Sequence, residues 1–245
     1  MKSVLLIGTL DTKGPEIAYV RDRLHALGLR TIVADSGILG GPLDIVPDVS
    51  RAEVARLGGT TIEALRAAGS RGQAVHGMLA GLRRLALERY RDGQLDAGVT
   101  LGGAEGAVLG ASAMMGLPLG VPKVIVTPIA SGRRRFGPLV GTRDVMVVHS
   151  VVDILGLNPI STTIFDNVAA AVAGMVTHGH TVAAAAGAGA PGKSAAGSNG
   201  DQKRVAITML GNTTSAVMTI RDALARHGLD SVIFHSNGVG GTAME

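Results

Sequence analysis

Three stretches of this 245-residue chain carry side chains suited to holding phosphate. In Gly8-Thr9-Leu10-Asp11-Thr12-Lys13-Gly14-Pro15-Glu16, backbone N–H groups and the Lys13 ammonium suit phosphate oxygens, and Asp11 suits a metal ion or a ribose hydroxyl. An ordinary capped turn with a solvated lysine explains the same residues equally well. In Leu101-Gly102-Gly103-Ala104-Glu105-Gly106-Ala107, Gly102 and Gly103 let a ligand approach the backbone at a helix N-terminus. Glu105 opposes an anion there unless it holds Mg²⁺ or a sugar, and tight packing of helix on sheet also accounts for the glycines. The third stretch follows Thr127-Pro128: Ser131, Gly132 and one of Arg133, Arg134 and Arg135 could bind phosphate, although a solvated surface loop explains the arginines individually.

Other motifs are weaker. Residues 187–194 formally satisfy G-x-x-x-x-G-K-[ST], ending in Gly192-Lys193-Ser194. That loop works when a strand delivers it and a helix follows, whereas here an alanine run precedes it and residues 195–200 cannot sustain a helix. His149, Ser150 and Asp153 have the types of a hydrolytic triad but lie too close in sequence for its geometry; a strand end, a helix cap at Ser150 and a helix-borne Asp153 are expected instead. His25, His76, His178 and His180 show no metal-ligand spacing, and no metal site is expected. Cysteine is absent, which excludes disulfides, thiolate metal sites and a cysteine nucleophile. No nucleophile-plus-base set is recognisable, which favours binding over chemistry.

The elements that would position these loops alternate. Strands are expected at 4–8, 31–34, 97–101, 123–127 and 145–148, and helices at 16–27, from near 51, at 72–90, 105–115 and 160–177. Apolar residues at 17, 20, 24 and 27 share one helical face, and Ser50 with Glu53 forms a capping-box signal. Pro15 suits the first turn of its helix. Strands lacking in/out alternation, separated by amphipathic helices, indicate an α/β fold with a parallel sheet covered on both faces. Ligands of such sheets bind beyond the carboxyl ends of the strands, where the glycine-rich loops fall.

Residues 181–202 are low-complexity Ala/Gly/Ser and are expected to form a flexible linker between a subdomain at 1–180 and the beginning of a second α/β subdomain at 203–245. In the latter, strands at 204–210 and 231–235 flank a helix at 215–227, and another helix starts near Ala243. Two strands and a helix cannot close a core, so the second subdomain is expected to be truncated.

Composition narrows the function. Glycine numbers 36, whereas Phe, Tyr and Trp number 3, 2 and 0, which argues against modules that stack bases. The net charge of +4 and the lone dense basic cluster at 133–135 predict no specific nucleic-acid surface. No apolar run is expected to reach the roughly 18 residues of a membrane span, and the apolar start at Ser3 suits a first buried strand rather than a signal peptide. A cytoplasmic protein is expected.

Several blocks occur together in order: Gly-Thr-Leu-Asp-Thr-Lys at 8–13, Gly-Val-Pro-Lys at 120–123, Ala-Ser-Gly at 130–132, Val-Gly-Thr-Arg-Asp at 140–144 and His-Ser-Val-Val-Asp-Ile-Leu-Gly-Leu-Asn at 149–158. Ala-Ile-Thr-Met at 206–209 and Gly-Val-Gly-Gly-Thr-Ala-Met-Glu at 238–245 follow. In these blocks the chain resembles the tomato mosaic virus resistance protein family, with its Tm-one-like ATP-binding domain. The resemblance implies two Rossmann-like subdomains, ATP held by glycine-rich loops of the first, and a homodimer. It carries nucleotide contacts to Thr9, Asp11, Thr12, Lys13, Gly102, Gly103, Gly106, Ser131 and Gly132. Two alternatives stay open: a phosphotransferase or ATP hydrolase using Lys13, Arg133 and a carboxylate-held Mg²⁺, and a module that binds a partner protein.

Overall fold

A computed structural model describes residues 1–68, 71–130, 137–179, 203–236, 238 and 240–244. It comprises two compact units, one of Met1–Val140 with Asp144–His180, the other of Gly141–Arg143 with Thr181–Glu245. In chain order the larger unit runs β1 (Ser3–Gly8), α1 (Leu10–Ala26), β2 (Arg30–Asp35), α2 (Arg51–Leu57), α3 (Ile62–Ala67) and α4 (Arg71–Arg91). It continues with β3 (Ala97–Leu101), α5 (Ala104–Met115), β4 (Lys123–Thr127), α6 (Gly137–Val140), β5 (Met146–His149) and α7 (Pro159–His178).

The five strands form one parallel sheet in the order β2-β1-β3-β4-β5, with Leu6 aligned to Val33 on one side and Val99 on the other. Every residue of β1 is buried, because both of its faces are covered. Val4 and Leu6 face a core shared with Ile17, Val20 and Leu24 of α1 and Phe165, Val168 and Val172 of α7. Leu5 and Ile7 face the opposite core, with Val54 of α2, Met78, Leu82 and Leu85 of α4 and Leu109 of α5. Each such side chain contributes about 1.5–3 kcal/mol when fully buried. The unit is a Rossmann-like α/β sandwich, as the unalternating strands indicated.

Three local features differ from the sequence expectation. First, α1 begins at Leu10 rather than near residue 16. Thr9 alone links strand to helix, its carbonyl accepting N–H bonds from Thr12 at 3.0 Å and Lys13 at 2.9 Å. Pro15, expected in the first turn, lies with Gly14 further inside α1 because the helix starts at Leu10. Gly14 is buried where the chain crosses at Leu43, whose carbonyl oxygen would be 1.8 Å from an added Cβ.

Second, Ser150 does not cap a helix. It is buried and donates to the Val152 carbonyl at 2.6 Å, within a non-helical segment that also holds Asp153. Asn158 caps α7 instead, its Oδ1 accepting from the N–H groups of Ile160 and Ser161 while Ser161 Oγ accepts from the Asn158 N–H. Third, α7 is by length and apolar composition the one described helix long enough to cross a membrane, beyond what the apolar runs suggested. Its apolar side, including Phe165 and Val172, packs on the sheet.

In the smaller unit, β6 (Arg204–Met209) and β7 (Asp230–His235) pair in parallel, joined through α8 (Thr214–Arg226), with α9 (Gly240–Met244) after them. Arg204 and Asp230 face each other at 3.5 Å where the two strands start. The helix expected near Ala243 thus starts three residues earlier, at Gly240.

Glycine at the crossing of α2 and α4 is a packing requirement. An added Cβ at Gly81 would lie 1.9 Å from the Val54 carbonyl oxygen. Gly81→Ala is therefore expected to destabilise the protein by about 1–3 kcal/mol, as overpacking does. Gly174, exposed in α7 with nothing within 4 Å of its Cβ position, should behave oppositely on replacement by alanine, gaining up to about 1 kcal/mol of helix propensity. Urea midpoints of the two variants test both signs.

Candidate functional site

In a sheet of order 2-1-3-4-5, the chain leaves β1 toward one edge and β3 toward the other, so the helices after these strands diverge. The crevice opens between them at the strands' carboxyl ends. A cavity of about 810 Å³ occupies this place. It is lined by the first turn of α1, the loop after β2, residues of α3 and α4, and the first turns of α5. Ligand pockets are typically about 300–1,000 Å³.

Asp35, the last residue of β2, builds the floor beside it. Its buried carboxylate accepts from Leu10 N at 3.2 Å and Gly37 N at 2.9 Å through Oδ1, and from Arg51 Nε at 2.7 Å through Oδ2. Arg51 Nη2 lies 2.7 Å from the same oxygen, an ion-pair contact without hydrogen-bond alignment. Arg51 Nη1 also donates to the Leu39 carbonyl at 2.8 Å and to the Gly40 carbonyl. Asp35 thus caps α1, starts the loop and fixes α2, and its oxygens are engaged by internal donors rather than turned toward a ligand.

Of the residues the sequence singled out, Thr9, Asp11, Thr12, Lys13, Gly103 and Gly106 line this one cavity. Thr9 and Thr12 hydroxyls lie 3.0 Å apart, and Asp11 lies against the loop at Gly37 and Gly40. Among the described residues no carboxylate pairs with Lys13. Gly103 is the N-cap of α5 with open space where a Cβ would be. Gly102 does not line the cavity: a Cβ there would lie 2.7 Å from the Gly106 Cα, so this glycine serves the turn between β3 and α5. Ser131, Gly132, Arg133 and the stretch 187–194 lie outside the described residues.

Sequence reasoning did not identify Ser36, Ile38, Leu39, Leu65, Arg66, Val75 and Leu109, which complete the wall. Most are apolar and come from α3, α4 or the loop after β2, brought in by tertiary packing. Ser36 is 1% exposed, and its hydroxyl has no partner among the described residues. A buried hydroxyl without a partner costs free energy that a ligand group can recover.

The remaining polar residues of the motif blocks have structural roles elsewhere. Lys123 is buried at the amino end of β4, donating to the Pro118 and Val121 carbonyls and to Asp144 at 2.7 Å, which also accepts from Gly120 N. The blocks at 120–123 and 140–144 meet in that pair. Glu16 of α1 accepts from Gly156 N at 2.6 Å and so ties the segment after β5 to α1. The Tyr19 hydroxyl, donating to Asp166 at 2.9 Å between α1 and α7, has its pKa raised chiefly by burial and then by this bond.

Comparison with known proteins gives two family-model matches. The N-terminal domain of the uncharacterised protein family UPF0261 matches residues 2–181, and the C-terminal domain of the same family matches residues 202–245. A UPF0261 protein of Clostridium tetani is 36% identical over 244 residues, covering 100% of this chain and 56% of that protein. One from Mesorhizobium japonicum is 35% identical over 246 residues with the same coverage. The ToMV resistance protein Tm-1 of Solanum lycopersicum is 33% identical over 260 residues, covering 99% of this chain and 32% of that protein. The resemblance read from the motif blocks is borne out. The chain spans about half the length of the bacterial relatives it matches.

The Asp35–Arg51 pair sets a stability test. Asp35→Asn puts an amide N–H₂ or a neutral oxygen before a buried guanidinium, and breaking a buried pair on one side costs about 3–5 kcal/mol. Lys2→Ala removes the exposed pair with Asp96 and should cost about 1 kcal/mol or less. Denaturant unfolding of the two variants is expected to separate them clearly.

Proposed function

The chain belongs to the UPF0261 family, and from that membership and its crevice we propose that it is a nucleotide-binding protein whose ligand is ATP, held between the first turns of α1 and α5. The observation that carries this reading is the cavity of about 810 Å³ at the strand-order switch, where side chains of the first turn of α1 meet the N-terminus of α5. Its residues fit the ligand. Lys13, the Thr9 and Thr12 hydroxyls, Ser36 Oγ and the backbone at Gly103 are suited to phosphate and ribose oxygens. Ile38, Leu65, Val75 and Leu109 offer an aliphatic wall for a base, in a chain with few aromatic rings. ATP brings several negative charges against Lys13 and Arg66, with Asp11 and Glu105 also at the cavity. Mg²⁺ accompanying the phosphates restores the balance, and Asp11 supplies a carboxylate for it.

A ligand that binds only the native state raises its stability, by about 2.7 kcal/mol at a hundredfold excess over Kd. For a chain of this size that is about 5–10 °C in Tm. Thermal unfolding with millimolar Mg-ATP should show an upward shift, reduced in Lys13→Ala and retained in Lys193→Ala, whose position lies in the phosphate-loop-like stretch. An unshifted wild type, beside a known nucleotide binder that does shift, would falsify the reading.

A further inference from the structure

Arg66, which lines the cavity, differs from Arg51 behind its wall. Arg51 is buried against the Asp35 carboxylate, whereas Arg66 is exposed on α3 and its guanidinium is engaged by neutral acceptors. Its Nε donates to the Ile38 carbonyl and its Nη2 to the Leu39 carbonyl, both at 2.7 Å. Among the described residues no carboxylate forms an ion pair with it. Glu63, three residues earlier, lies within its field but is served by other donors. The carboxyl of Glu63 is held below its usual range first by its own backbone N–H, then by the Thr61 hydroxyl, with Arg66 contributing least.

A guanidinium fork on two carbonyls is charged on one side only. A phosphate presenting two oxygens to the same fork makes the contact ionic on both sides and matches the planar fork bidentately. The carbonyls left behind lie in a loop whose Leu39 is 73% exposed, so water can replace the guanidinium. Leu39 also keeps its bond from Arg51 Nη1 at 2.8 Å. Ile38, Leu39 and Arg66 all line the cavity, so the exchange takes place at the ligand.

We propose that Arg66 binds the ligand's phosphate, and that this contact draws the guanidinium from the Ile38 and Leu39 carbonyls, leaving Leu39 held by Arg51. The ligand in this inference rests on the nucleotide reading above; the chemistry rests on the Arg66 fork. The loop keeps its other ties: Gly37 N donates to Asp35 Oδ1 at 2.9 Å, and the Gly40 carbonyl accepts from Arg51. Anion binding and loss of the two Arg66–carbonyl bonds are then a single equilibrium. A ligand with the phosphate shifts it, and one without the phosphate does not.

Calorimetric titration of the chain with Mg-ATP, adenosine and inorganic pyrophosphate tests this, comparing wild type with Arg66→Ala and Arg66→Lys. Arg66→Ala should weaken Mg-ATP by about tenfold or more, the loss expected for hydrogen bonds to a charged group, and leave adenosine nearly unchanged. Arg66→Lys keeps the charge without the fork and should fall between; it also carries the comparison if the alanine variant does not fold. Equal Mg-ATP affinity in wild type and Arg66→Ala overturns the role of Arg66 and leaves the nucleotide reading standing. If wild type takes no Mg-ATP, the nucleotide reading falls and pyrophosphate decides. Binding lost in Arg66→Ala supports the arginine; binding absent from wild type, or unchanged in the variant, overturns it.

Discussion

The Asp35 carboxylate is the constraint around which the carboxyl edge of the sheet is organised. It ends β2, closes the first N–H of α1, starts the loop at Gly37 and holds Arg51 at the head of α2. A buried carboxylate tolerates such a position when each oxygen has donors, as it has here. Through Arg51 the same charge reaches the Leu39 and Gly40 carbonyls, so the loop that walls the cavity takes its shape from an ion pair beneath it. The crevice is shaped by polar contacts on this side and by apolar packing of α3, α4 and α5 on the other.

This arrangement makes the two helix N-termini at the cavity unequal. At α1, Asp35 occupies the Leu10 N–H, and the Thr9 carbonyl occupies those of Thr12 and Lys13. At α5, the Gly103 carbonyl accepts from Ala107 N at 2.9 Å and open space lies where a Gly103 side chain would be, so the positive end of that dipole faces the cavity. The side chains of α1, rather than its backbone, are what it offers a ligand.

Most of the architecture was legible because the strands are apolar on both faces: Val4 and Leu6 for one core, Leu5 and Ile7 for the other. What the sequence concealed depends on contacts distant along the chain. Gly14 suggests a loop until the crossing at Leu43 gives the glycine its reason. At six residues, α3 is too short to show a period, so Arg66 and Leu65 could not be placed at the cavity. Ser36 is an unremarkable serine after a strand until its hydroxyl proves buried without a partner. Gly102 and Gly103, adjacent and alike in sequence, face different surroundings, a packed turn and open space. The motif loops at 8–13 and 101–107 converge on one crevice because β1 and β3 are sheet neighbours that lie far apart along the chain.

Pro15 gives α1 a seam. Having no N–H, it leaves the Asp11 carbonyl without the donor four residues on that a helix normally supplies. The turn that meets the cavity is therefore hydrogen-bonded partly on its own account, while Ile17, Val20 and Leu24 root the rest of the helix in the core. The head of the helix fronts the cavity with Asp11, Thr12 and Lys13 while Leu10 beside them is buried in the core, so the turn that borders open space is pinned by a single apolar side chain.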